Sequence, residues 1–67
     1  MSVARVTEIS SSSTKSFEHA IEQGIERAAK TLKNVEGAWV ESQKVVVTNG
    51  KIAEYRVMLK VTFVLED

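Results

Sequence analysis

Residues Gly37 to Leu65 constrain this chain more than any other stretch, because two apolar-patterned runs are joined there by Asn49-Gly50. Asn-Gly between such runs marks a two-residue hairpin, since a type I′ turn needs positive φ at both central positions. In the second run Ala53, Tyr55, Val57, Leu59, Val61, Phe63 and Leu65 point one way. Glu54, Arg56, Lys60, Thr62 and Glu66 point the other. Alternation with period 2 predicts a strand that lays one face on a core. Roughly 15 residues at about 3.3 Å each span about 50 Å. A compact chain of this length has a radius of gyration of only about 11 Å. The strand must therefore bend strongly or run past its own domain onto a neighbour, and the expectation is an oligomer.

Size points the same way. A chain of 67 residues makes one domain, and chains this short lean on disulfides, metals or partners for stability. Cysteine is absent, which removes disulfides and thiolate metal sites from the choice. Nine basic and nine acidic residues cancel, so no net field gathers nucleic acid or an anionic membrane. No apolar run approaches a membrane span, and no signal peptide is evident. The expectation is a soluble, cytoplasmic, self-associating domain.

In chain order, Ser2 to Ser10 predicts an irregular edge strand carrying Val3, Val6 and Ile9. The serine run Ser10 to Ser13 predicts a loop, with Ser13 (or Ser12) as the N-cap of a helix. Thr14 to Lys33 has helical periodicity, with Phe17, Ala20, Ile21, Gly24, Ile25, Ala28, Ala29 and Leu32 on one stripe. Several of these are small, so the helix is expected to lie close on a sheet, and Gly24 is read as a point of close approach. Asn34 is the expected C-terminal cap. The order is thus β-α-β-β, an α+β fold whose three-stranded antiparallel sheet carries the helix on one face and leaves the other bare.

Counting outward from Thr48 opposite Lys51 places Val46, Lys44, Val40 and Ala38 on the helix-covered face. The bare face receives Gln43 opposite Arg56, Glu41 opposite Met58, and Trp39 opposite Lys60, where a cation–π contact is expected. Trp39 is either an aromatic platform for a flat ligand, with Arg56, Lys60 and Gln43 as polar partners, or an anchor in a subunit interface. His19, the sole histidine, reads as a surface residue without metal-ligand spacing. Glu36, Glu41, Glu66 and Asp67 would bind a hard cation only where symmetry gathered them, since their spacing matches no known cation loop. No triad, phosphate loop or H-E-x-x-H sequence argues for an enzyme.

The early strand RVTEIS, the segment SSSTKSFEHAIEQGIERAAKTL, then WVESQKVVV, and above all the ending GKIAEYRVMLKVTFVLED resemble the dodecins. That resemblance implies a hollow homododecamer of β-α-β-β chains that stores flavin (riboflavin, FMN or FAD) and needs no catalytic residue. Dodecins typically stack a tryptophan on the isoalloxazine ring and bond its polar edge with a glutamine on the last strand. Gapless placement puts Gly37 and Arg56 at those two positions, so both signature residues are replaced. Trp39 lies two residues on, on the same face and about 6.6 Å further along. Ala38, Val40, Tyr55 and Arg56 are similar to a dodecin subgroup associated with calcium, which implies the alternative of a structural or cation-binding shell. The resemblance assigns no calcium ligands.

Overall fold

The computed structural model describes residues 3–65. Ser2, Glu66 and Asp67, which entered the first-strand and cation readings, lie outside them. Four elements follow in the expected order: β1 (Ala4–Ser13), α1 (Phe17–Thr31), β2 (Val35–Thr48) and β3 (Lys51–Val64). The sheet order is β1-β3-β2, with both pairings antiparallel. The strand with the cleanest alternation therefore lies in the middle. Val57, Leu59 and Val61 of β3 are buried under α1, while the intervening Arg56, Met58 and Lys60 face the bare side.

The helix packs through its small residues. Ala20, Gly24 and Ala28, four apart, are its buried positions, and Phe17, Ile21, Ile25 and Leu32 pack around them. Ala29, expected on that stripe, is exposed. A Cβ on Gly24 would lie 3.0 Å from Leu59 Cδ1 and 3.0 Å from Ser11 Cβ. The close approach read from the sequence is thus present, and both β1 and β3 take part in it.

The beginning of the helix differs from the expectation. The serine run is strand, not loop: Ser10, Ser11, Ser12 and Ser13 pair with Met58, Val57, Arg56 and Tyr55. Pairing against β3 outweighs the weak strand preference of serine, since strand formation depends on context more than on the residue itself. The cap moves accordingly to Ser16, whose Oγ accepts from the His19 backbone N–H at 3.0 Å. Ser13 has a different task. Its buried hydroxyl accepts from the Lys15 N–H at 2.9 Å and hydrogen-bonds His19 Nδ1 at 2.6 Å. His19 is therefore half-buried and pinned at the strand–helix junction rather than free on the surface. At the other end the cap is Leu32, whose N–H donates to Ala28 O. Asn34 follows at φ 60°, and its carbonyl accepts from the Val64 N–H at 3.1 Å.

The hairpin turns where the sequence placed it, with Asn49 and Gly50 at φ 53° and 76° and Thr48 opposite Lys51. Regular counting then fails at register shifts. Ala53 is an extra residue on β3, so Val46 meets Glu54 and Lys44 meets Arg56. Glu41 is an extra residue on β2, which restores Val40 opposite Leu59 and Trp39 opposite Lys60. A further shift at Glu36 separates Val35 from Gly37. A bulge leaves one residue unpaired and rotates its neighbours to the opposite face. From Ser42 to Thr48 the assignment of β2 residues to faces is therefore reversed from the expectation.

β1 ends opposite Tyr55, where the Phe17 and Tyr55 rings meet edge to face at 5.1 Å. Beyond that row, β2 and β3 pair only with each other and project as an arm. The protomer measures 51 × 19 × 13 Å, with a radius of gyration of 13.7 Å. Its surface of 5065 Å² compares with about 4200 Å² expected for a folded monomer of this mass. The long strand runs past its own core, and the arm leaves Val45, Val47 and Ile52 exposed.

Candidate functional site

The bare face of the sheet takes its chemistry from the rows on which β2 and β3 pair. Trp39 is opposite Lys60 and Gly37 is opposite Thr62, so the tryptophan, the glycine and the lysine form one neighbourhood. Trp39 is 66% exposed, unusually high for the largest apolar side chain in a chain with so small a core. Next to it, a Cβ on Gly37 would have no atom within 4 Å. An exposed indole beside an open patch of backbone gives a flat group a surface to lie on.

Lys60 is engaged differently from the expected cation–π contact. Its Nζ lies 3.7 Å from Glu41 Oε1, which the bulge at Glu41 brings to the lysine. Both side chains are about two-fifths exposed, so the pair contributes at most about 1 kcal/mol and yields readily to a ligand. Arg56 is oriented by Glu54, with Nε 3.2 Å from Oε1.

The other candidates separate. Arg56 lies six residues along β3 from Thr62, about 20 Å from the Gly37 row. Arg56 and Gly37 of one protomer therefore cannot touch the same small ring. A ligand that touches both positions has to lie between protomers. Gln43 is opposite the buried Val57, not Arg56, and so belongs to the helix side of the sheet, away from Trp39. Lys44 takes the place expected for Gln43. Sequence reasoning missed Lys44 because regular counting set it opposite Tyr55, and no residue type announces the bulge at Ala53.

A cavity of about 580 Å³ lies between α1 and β1 and is lined by residues including Ile9, Gln23, Arg27 and Leu32. None of the candidate residues reaches it. Among the described residues, no group of three or more His, Asp or Glu side chains could hold a metal ion. No described helix is long and apolar enough to cross a membrane.

Comparison with protein families finds the dodecin model matching residues 3–66. The chain belongs to the dodecin family. Solved dodecin structures share the fold throughout. The dodecin from Streptomyces davaonensis is 35% identical with a TM-score of 0.93, covering 98% of this chain and 97% of that one. A mutant of the Thermus thermophilus dodecin is 30% identical with a TM-score of 0.94, covering 100% of both chains. A calcium dodecin from Mycobacterium tuberculosis, described as calcium chelating with a novel calcium-binding site, is 32% identical with a TM-score of 0.83 and covers 96% of this chain and 91% of that one. Comparison with curated protein sequences gave no significant match.

Proposed function

We propose that this dodecin is a homododecameric storage protein for a small, flat, aromatic ligand, flavin being the ligand class that the family resemblance implies. The observation that carries the reading is Trp39, 66% exposed on the uncovered face of the sheet, beside the open backbone at Gly37. Stacking on an indole needs no catalytic group. It protects the bound ring and quenches its excited state. With Gly37 and Arg56 at the positions where typical dodecins carry tryptophan and glutamine, the platform is displaced along β2 and affinity is reduced. Arginine has donors but no acceptor, so it does not reproduce the two-sided recognition of glutamine. Self-association follows from the projecting arm and from a core of only five buried apolar side chains among the described residues.

Titration of riboflavin, FMN and FAD with the ligand-stripped assembly tests the reading by fluorescence. Saturable quenching that Trp39→Ala abolishes, with the assembly intact by sedimentation, supports it. If Trp39 is instead an interface anchor, the same substitution loosens the assembly by about 2 kcal/mol or more per contact. Absence of quenching by all three flavins rejects flavin storage.

A second reading, a cation-binding shell without flavin, rests on the likeness to the calcium dodecin, which is 32% identical. No single protomer gathers a carboxylate cluster among its described residues, so a site built from those carboxylates would draw on several protomers. Assembly that weakens with chelator and recovers with calcium supports that reading.

A further inference from the structure

Lys44 stands directly across from Arg56 in the β2–β3 ladder, well away from Trp39 on the same face. Like charges directly opposite each other destabilise a sheet, so this rung costs the fold stability. Glu54 offsets part of the cost through Arg56 Nε at 3.2 Å. Among the described residues Lys44 has no carboxylate partner.

Hydroxyl groups surround the two cations. Ser42 and Ser10 flank Met58 on the adjacent rung, and Ser12 pairs with Arg56 from the β1 side. Ser10, Ser42, Lys44, Arg56, Val57 and Met58 line a depression of about 310 Å³. No carboxylate is among these described lining residues. Glu54 engages the guanidinium at Nε, which leaves the terminal nitrogens to donate elsewhere. A planar fork, a point charge and two hydroxyls together suit the oxygens of a phosphate group.

We propose that this depression is an oxyanion subsite that binds a phosphate group. The proposal deepens the reading of the bare face as a ligand surface and rests on it. The Lys44–Arg56 rung lies four residues along β3 from Lys60, about 13 Å from the Trp39 row. The phosphate can belong to the ligand stacked there or come free from solution, and the chemistry of the subsite is the same for both.

Calorimetric titration of the intact assembly with inorganic pyrophosphate at low salt tests the subsite directly. Saturable binding is expected, weakened about tenfold or more by Lys44→Met or Arg56→Met and reduced by added salt. Sedimentation confirms that each variant remains assembled. Riboflavin, which carries no phosphate, should be quenched equally by the wild type and Lys44→Met. An FMN advantage over riboflavin that Lys44→Met removes identifies the ligand's own phosphate as the occupant. Pyrophosphate binding with no FMN advantage identifies the free anion. Absence of pyrophosphate binding, or binding that survives both substitutions, overturns the proposal. Because pyrophosphate binding is read without Trp39 or flavin, failure of the stacking reading shows separately, as loss of riboflavin quenching.

Discussion

Gly24→Ala sets two opposing effects against each other at one atom. Alanine is the better helix former by about 1 kcal/mol at an interior position, so propensity alone predicts a more stable protein. The added methyl, however, would lie 3.0 Å from Leu59 Cδ1, 3.0 Å from Ser11 Cβ and 3.3 Å from Ser11 Oγ. Carbon atoms pack comfortably at about 3.5–4.0 Å, so each neighbour must retreat by roughly half an ångström. Leu59 is fully buried on the central strand, and Ser11 is held by its pairing with Val57. Overpacking a filled core costs about 1–3 kcal/mol. Taking about 2 for the clash and subtracting about 1 for propensity, Gly24→Ala should destabilise the chain by about 1 kcal/mol. Ser11→Ala should not rescue it, because the closer contact is to Cβ, which remains. Urea denaturation at one fixed protomer concentration measures the difference, since assembly makes the midpoint concentration-dependent. A variant about 1 kcal/mol more stable than wild type would show that the helix can lift off the sheet, and would refute the packing argument.

Three further outcomes follow from the same geometry. Gly37→Trp combined with Arg56→Gln restores the two family signature residues, and Gly37 has open space for the ring; riboflavin affinity should rise, and an unchanged titration would show that the pocket differs in shape as well. Ser16→Ala removes the acceptor for the His19 N–H and should cost about 1 kcal/mol by urea denaturation, whereas Ser12→Ala, at the alternative cap position read from the sequence, should cost less. Ile52→Lys charges the exposed side of the arm, so sedimentation velocity should show a weakened assembly while circular dichroism of the protomer is preserved; an unaltered assembly would remove the arm from the interface.

What the sequence made legible was the part governed by local rules. Asn49-Gly50 determined the turn, the alternation of β3 marked the strand with a buried face, and the spacing of Ala20, Gly24 and Ala28 defined the buried helix stripe. The size conflict between a 50 Å strand and a small domain announced the projecting arm. What remained hidden depends on partners distant in sequence. Four serines become strand because β3 supplies their pairing, and that displaces the helix cap to Ser16. The bulges at Ala53 and Glu41 nearly cancel, so counting gave Trp39 opposite Lys60 correctly while misplacing Gln43 and Lys44 between them. The platform was therefore legible, whereas the cation rung beyond it was not.

Alternation along a strand has a phase, and each bulge is a phase slip. On β2 the core-side positions are even-numbered at Ala38 and Val40 and odd-numbered after Glu41, so Val45 and Val47 fall on the side that Ala38 and Val40 occupy nearer the helix. On β3 the slip at Ala53 brings Ile52 to that side too. An apolar stripe that would have broken at the helix end instead continues along the arm. Two inserted residues thus carry an apolar track, interrupted on β2 by Gln43, from inside the protomer out along the arm, while Lys44 and Arg56 lie on the reverse side.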